Sequence, residues 1–410
     1  MNIYHTADWH FNEKNHDEVK KCLDFMVDHM TNYQETIDLI LISGDITDSR
    51  FINFDSRSCR TIFNLVNRML SMAPVAIVTG TESHDGKVAL ALKECKGKYP
   101  VLVSDMPEQF VYVNENIWVE VSKIAFPEHV NAKFMLTQLP QPTKQYFVNE
   151  MSIEDSDKAI SKAMDSILTS FMTFQDIPHI VNGHFQVGGA FISETQQMIG
   201  RDIELSTSQL AMLNADLICL GHIHKQQKLG NNIFYAGSPT RMNFGEKEDK
   251  GFYVHSVMEG SDALPTCNVH DFIKTPARMM LEIKIDFTRA NNKSELEMLK
   301  QILHSTHNDS ELNNSDLKIT LTVWQDEAKA INQAELKESF IDAGCNNVKL
   351  ILIRKPREAV RAERVLAADT LPDKLVAMAE LRGEEVSASI LDKAGRLESG
   401  ENEPWKMLDN

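Results

Sequence analysis

The sequence predicts a layered α/β domain followed by a small α+β unit and a helical tail. Two patterns carry that reading. Over the first two thirds of the chain, short apolar runs of strand length alternate with segments of helical periodicity. Five of these strands run into a cluster holding Asp or His, and the carboxyl ends of strands are where layered α/β folds bind ligands.

The elements follow in order. Asn2 to Ala7 reads as a first strand. Glu18 to Tyr33 sets Val19, Leu23, Met26, Val27 and Met30 at helical spacing. Asp38 to Ser43 is a buried-strand run, and Ser56 to Met72 repeats the helical pattern with Cys59, Ile62, Phe63, Val66 and Leu70. Val75–Val78, His179–Val181 and Asp216–Leu220 are further strands. The proline-bearing stretch Glu128 to Gln145 shows little periodicity and reads as an irregular insertion, ahead of a helix from about Ile153 to Phe174.

A second unit opens near Lys274-Thr275-Pro276. It reads as a strand (Met279–Ile285), a helix (Ser294–Leu303), a polar loop (His304–Ser315), a strand (Leu317–Trp324), a helix (Gln333–Ala343) and a strand (Val348–Ile353). After Pro356 the composition turns Ala-, Glu- and Arg-rich. Helices are expected over Arg357–Ala368, Asp373–Arg382 and Ser387–Leu397, with Leu371-Pro372 as a break and Glu398 to Asn410 loose. The expected divisions are 1–272, 273–356 and 357–410, the last free to dock on a partner.

Composition bounds the function. The 410 residues carry a formal charge of -17, which argues against an unaided nucleic-acid binder, although metal ions and a partner subunit can supply positive charge. Six scattered cysteines form no Cys-x-x-Cys pair, which argues against a zinc ribbon or disulfide framework and fits a reducing compartment. No apolar run spans a membrane and no signal-peptide pattern opens the chain, so a cytoplasmic protein is expected.

The strand ends carry the chemistry. They run into Asp8-Trp9-His10, Gly44-Asp45-Ile46-Thr47-Asp48, Gly80-Thr81-Glu82-Ser83-His84-Asp85, Asn182-Gly183-His184 and Gly221-His222-Ile223-His224. Mixed Asp and His ligands suit manganese, iron or zinc. Phosphodiester hydrolysis uses two such ions about 3.5–4 Å apart to neutralise charge and activate water. Each piece alone is weak, since Asp-x-His is more often a surface loop and a lone Gly-His is usually structural. The ordered set, each member behind an apolar strand, is specific for a paired divalent-metal site. His5 and His16 read as strand or surface histidines.

This ordered set resembles the calcineurin-like metallophosphoesterases, and within them the SbcD-type exonuclease subunits of bacteria and phages. Tyr235-Ala236-Gly237-Ser238-Pro239-Thr240-Arg241, Phe244-Gly245-Glu246 and Lys250-Gly251-Phe252 add to the likeness, whose motifs cover about residues 1–255. The resemblance implies a four-layer α/β/β/α sandwich with a capping domain and partner-binding helices. It implies that Asp8, His10, Asp45 and His224 hold one metal, and that Asp45 bridges to a second held also by His184 and His222. It implies that His84 donates a proton to the leaving oxygen or stabilises the transition state. Asp48 would cap a helix or orient a ligand, Asp85 would support His84, and Arg241 would contact phosphate or form a structural ion pair. The family's third motif carries an Asn ligand that this chain lacks. Ser83 is the favoured substitute, with Thr81 and Glu82 as alternatives. The implied protein is a manganese-dependent DNA nuclease, duplex-end exonuclease and single-strand endonuclease, that joins an SbcC-type coiled-coil ATPase as a homodimer within a heterotetramer. Two other readings keep the fold: a small-molecule or phosphoprotein phosphoesterase, and a non-catalytic structural subunit with a degenerate second metal site.

Overall fold

The computed structural model describes residues 1–114, 116–123, 131–142, 153–171, 177–192, 203–257, 268–289, 312–356 and 365–399. The chain forms two compact units, one of residues 1–282 with 311–317 and 344–347, the other of residues 283–310, 318–343 and 348–410.

In the first unit the strands are β1 (Asn2–Thr6), β2 (Leu39–Ser43), β3 (Val75–Val78), β4 (Val101–Ser104), β5 (Glu108–Val113), β6 (Ile117–Glu120), β7 (Ala132–Leu139), β8 (His179–His184), β9 (Gln186–Val187), β10 (Glu204–Leu205), β11 (Leu217–Gly221), β12 (Gln227–Leu229), β13 (Ile233–Tyr235), β14 (Gly251–Ser256) and β15 (Val269–Lys274). Its helices are α1 (His16–Asn32), α2 (Arg57–Met69), α3 (Lys87–Ala91), α4 (Ile153–Ser170) and α5 (Thr207–Ala211). One sheet has the order β15-β14-β1-β2-β3-β4, and the other β12-β13-β11-β8-β7-β5-β6. β1 to β4 run parallel, as do β7, β8, β11 and β13.

Alternation along each strand builds four layers. Tyr4, Ile40, Ile42, Val75 and Ile77 pack outward against Leu23 and Met26 of α1 and Ile62 and Val66 of α2. The intervening residues Ile3, Leu39, Leu41 and Ala76 face the other sheet and meet Phe134, Leu136, Ile180, Leu217 and Cys219. Beyond that sheet, Val181, Ile218 and Leu220 pack with Met164 and Leu168 of α4 and Leu210 of α5. Strands covered on both faces must be apolar at every position, which is why these runs lack a polar alternation. The result is an α/β/β/α sandwich.

Two expectations are corrected, the first in the stretch before α4. Where an irregular insertion was expected over Glu128 to Gln145, the described part, residues 131–142, holds β7 at Ala132–Leu139 in the second sheet, with Phe134 to Leu139 all buried. Pro140 and Pro142 follow the strand, where a missing N–H costs no ladder bond.

In the second unit β16 (Met280–Asp286), β17 (Asp316–Trp324) and β18 (Asn347–Lys355) form a three-stranded sheet in that order, with α6 (Gln333–Asp342) between β17 and β18 in sequence. Ile319, Leu321 and Val323 alternate inward along β17. The helix expected at Ser294–Leu303, most of the helix expected at Arg357–Ala368 and residues 400–410 lie outside the described residues. α7 (Leu371–Arg382) and α8 (Ala388–Ser399) pack on each other, and the Glu398 carboxylate accepts from Leu371 N. Leu371-Pro372 is therefore not a break but the first turn of α7, capped by Thr370, where proline's missing N–H has no partner to lose. Among the described residues no helix is long and apolar enough to cross a membrane.

Candidate metal centre

The parallel register brings the strand ends together. Thr6 pairs with Ile42, Ser43 with Val78, and His184 with Gly221, so Asp8, Asp45, Gly80, His184 and His222 all leave the carboxyl edges of the two sheets. The loops after β1 and β2 are zipped by Asp8 N to Gly44 O, His10 N to Asp45 O and Phe11 N to Ile46 O, each 3.0 Å. Asp8, His10, Asp45 and His222 have positive φ, at 53°, 47°, 51° and 91°. This is uncommon for residues with a Cβ and costs on the order of 1–3 kcal/mol each where the conformation is strained. Backbone turned this way aims successive side chains into one pocket.

Glycines let the two sheets close over the site. A Cβ on Gly221 would lie 2.0 Å from Ser43 O, and one on Gly44 would lie 2.4 Å from His184 Nδ1. Beneath them a buried polar chain crosses between the sheets: Ser43 Oγ donates to Asn182 Oδ1 at 2.6 Å, and Asn182 Nδ2 donates to Gln138 Oε1 at 2.9 Å.

Among the described residues, two groups of candidate ligands share Asp8, and a third joins His10 to Asp48 and His84. Ligand atoms of Asp8, His10 and His224 lie within 4.8 Å of one another, and so do those of Asp8, Asp45 and His184. His184 Nε2 is 3.4 Å from Asp45 Oδ2, while its Nδ1 is held by Ser43 O at 2.7 Å. That contact fixes the ring and leaves Nε2 facing the pocket, as expected of a metal-binding histidine. His10 Nε2 lies 3.1 Å from His224 Nε2 and 3.7 Å from Asp45 Oδ2. His222 presents its ring to His184 at 5.2 Å, and its backbone N–H donates to Asp8 Oδ1 at 2.9 Å. Asp8 Oδ2 is buried with no hydrogen-bond partner. A buried carboxylate oxygen without a donor is costly unless a cation completes it, so this donor set fits divalent metal ions.

The electrostatics agree. Burial opposes the charged form of Asp45, but His184 and His10 outweigh it and hold its carboxyl well below the usual range. Burial also opposes a charged His184, yet Asp45 and Asp8 raise it to about 9. Burial pushes His222 down to about 3, with the His184 charge adding to it, and drives His10 well below its ordinary value. Burial raises Asp8. The pocket is thus a cluster of mutually dependent charges, a setting that a bound cation resolves.

The third motif is laid out differently from the favoured alignment. Thr81 is the residue beside Asp45: its N–H donates to Asp45 Oδ1 at 2.6 Å and its hydroxyl to Asp45 Oδ2 at 3.3 Å. Ser83 is exposed and its carbonyl accepts from Arg50 N, while Glu82 turns out to Arg50 at 3.5 Å. His84 ring Nδ1 lies 3.2 Å from Asp48 O, and the ring stands 4.7 Å from His10 in a T-shaped contact. Asp48 Oδ1 lies 3.7 Å from His10 Nδ1. Buried Asp85 accepts from Ile46 N and Thr47 N through Oδ1 and from Gly80 N through Oδ2, so it staples the loops after β2 and β3 instead of touching the His84 ring. Burial and the nearby Asp45 raise it to about 6.

Arg241 is buried, and its guanidinium donates to four main-chain carbonyls, of Glu246, Ala277, Arg278 and Glu248. It ties these segments together, and its three guanidinium nitrogens are all engaged by main chain. Sequence reasoning missed a role for Glu246. Fully buried, it meets His224 Nδ1 at 3.2 Å and Lys250 Nζ at 2.7 Å, and so orients His224 from behind. The signal was present as an acid embedded in a glycine-rich motif, but a lone Glu reads as a surface residue.

Comparison with known proteins bears on the fold and its chemistry. Residues 1–226 match the model of the family described as calcineurin-like phosphoesterase. The chain is 23% identical over 265 residues to the SbcD component of the nuclease SbcCD from Staphylococcus saprophyticus, and 24% identical over 268 residues to the same component from Staphylococcus epidermidis. Each match covers 63% of this chain, and the chain spans just under two thirds, 66%, of each relative's length. Over half the chain, with the Asp and His residues on its strand ends, fits one family model, and the chain belongs to the calcineurin-like phosphoesterases.

Proposed function

We propose that this chain is a manganese-dependent DNA nuclease, acting on duplex ends and single strands with an SbcC-type ATPase in cytoplasmic DNA end processing for repair, recombination or replication. The observation that carries the reading is the pair of ligand groups meeting at Asp8, with the likeness to SbcCD nuclease components beside it. Asp8, His10 and His224 would hold one ion, and Asp45, His184 and His222 the other, with Asp8 or Asp45 bridging. Divalent ions there supply charge neutralisation for a phosphodiester and a more acidic attacking water. The chain's own residues do the rest. Ser43 O and Glu246 fix the rings of His184 and His224. His84, half-buried with its ring 4.7 Å from His10, would give a proton to the leaving oxygen. Thr81, which donates to both Asp45 carboxylate oxygens, would stand in for the amide that the family carries in this motif. α7 and α8 leave Val376, Met378 and Ile390 exposed and are assigned to the ATPase partner, in a complex that also pairs two copies of this chain.

The test is direct. Purified chain with manganese should cleave linear duplex and single-stranded DNA, and the partner ATPase should stimulate the duplex reaction. A protein that hydrolyses small phosphodiesters yet leaves DNA intact with and without the ATPase would refute the DNA assignment. Truncation after Pro356 should abolish co-purification with the ATPase, and persistence of the complex would sink the docking assignment.

A further inference from the structure

Two exposed phenylalanines stand near the candidate centre in sequence: Phe51 follows Asp48 in the segment after β2, and Phe191 follows β9, the strand after His184. At 80% and 70% exposure they are the most exposed phenylalanines among the described residues. Single exposed apolar side chains are ordinary. These two differ in how they are held. Gln227, three residues past His224, clasps the backbone of Phe191 at both ends: its Oε1 accepts from Phe191 N and its Nε2 donates to Phe191 O, each 2.8 Å. The side chain of a polar residue is thereby committed to fixing a ring that buries little. Lys225, next to His224, brings Nζ to 5.8 Å from that ring. Phe51 has a matching arrangement. Arg50 Cζ lies 4.7 Å from its ring, and Arg50 N donates to Ser83 O, next to His84. Gly86 admits the Arg50 backbone so closely that a Cβ would lie 2.4 Å from its carbonyl oxygen.

Each ring thus has a held backbone, Phe51 N donating to Ser49 Oγ at 3.2 Å, an exposed ring and a neighbouring cation, of which Arg50 is shared with Glu82, on a chain whose net charge is -17. A flat face beside a positive charge suits an unstacked nucleobase next to its phosphate, because stacking accepts any base and the cation meets the backbone. We infer that Phe51 and Phe191 are stacking contacts for unpaired bases of the strand to be cut. The inference rests on the nuclease reading and names the feature its substrate must have, bases free of their partners near the cleaved bond. A duplex end would then be read as frayed nucleotides, not as intact pairs.

The experiment uses the full chain with manganese and two oligonucleotides of equal length, one with all its bases and one abasic around the cleaved bonds. With each ring contributing about tenfold, wild type should prefer the base-bearing strand by roughly 100-fold in kcat/KM. Phe51→Ala and Phe191→Ala should each cut that preference about tenfold, and Phe191→Trp should restore it. Binding is read separately, by quenching of 2-aminopurine in a single strand on metal-free protein, which Phe191→Ala should weaken. Equal cleavage of both strands by wild type, or a preference untouched by either substitution, would overturn the stacking role and leave the nuclease reading intact. Quenching that depends on Phe191 in a protein that cuts no strand would do the reverse. Neither quenching nor cleavage would remove both.

Discussion

Gly80→Ala perturbs the centre with one methyl group. The added Cβ would lie 2.1 Å from Asp45 Oδ1, 2.3 Å from Asp45 N and 2.9 Å from Asp45 Cγ. Ordinary carbon contacts begin near about 3.5 Å, so something must move by about an ångström or more. Gly80 cannot retreat freely, since its N–H donates to Asp85 Oδ2 at 2.8 Å. Asp45 is no freer: Thr81 N–H holds its carboxylate at 2.6 Å and His10 N holds its carbonyl. Overpacking of this kind costs about 1–3 kcal/mol. A shift of about an ångström in a group that positions the reaction costs about 100-fold in rate. The expected result is a modest loss of stability in guanidinium unfolding, weakened manganese binding by calorimetry, and a kcat on a small phosphodiester lower by about two orders of magnitude. Gly230→Ala is the control. Gly230 has a φ of +58° with nothing within 4 Å of the added Cβ, so it should lose about 1–2 kcal/mol with metal binding intact. If Gly80→Ala binds manganese and turns over like wild type, or if Gly230→Ala matches its metal loss, steric access to Asp45 does not organise this centre.

Further substitutions separate roles within the site. His84→Ala should lose about 10²–10⁴ in kcat while keeping the wild-type manganese stoichiometry, and loss of a metal would reassign His84 as a ligand. Asp85→Asn should cost about 1–3 kcal/mol, because an amide cannot accept all of the N–H groups of Ile46, Thr47 and Gly80, and stability equal to wild type by chemical denaturation would contradict the staple. Stability should also fall with acid. Burial holds His5 at about 3 and His179 at about 4, against an ordinary 6.5. Below pH 6.5 the unfolded chain takes up protons that the folded chain refuses, so stability present above that pH is lost as pH falls toward 4, by about 3 kcal/mol for each histidine at pH 4. Denaturation midpoints that stay flat from pH 7 to 4.5 would refute this.

The doubly covered strands were legible because burial on both faces leaves only apolar residues: Leu39 to Ile42 and Leu217 to Leu220 admit little else. β7 was not, since Thr137 and Gln138 interrupt it and prolines follow it. In the structure Gln138 is no surface residue but part of the polar chain between the sheets. The candidate ligands could be read from residue type and order. Their positive φ values could not, because Asp and His give no outward sign of a left-handed backbone. The third motif was hard to read for a related reason. Counting back from His84 favoured Ser83, but the turn in which His84 N and Asp85 N both bond to Thr81 O folds the extra residues outward and leaves Thr81 at Asp45. Glu246 was hidden because its burial depends on His224 and Lys250, whose positions only the fold supplies.

The strand order also has a consequence in time. β1 lies between β2 and β14, and the candidate pocket draws Asp8 and Asp45 from one sheet and His184 and His224 from the other. During synthesis the first sheet lacks its β14 neighbour, and the pocket lacks its last histidine, until well over half the chain has left the ribosome. The candidate pocket is therefore assembled late, and β1 gains its second neighbour only with β14, which ends at Ser256.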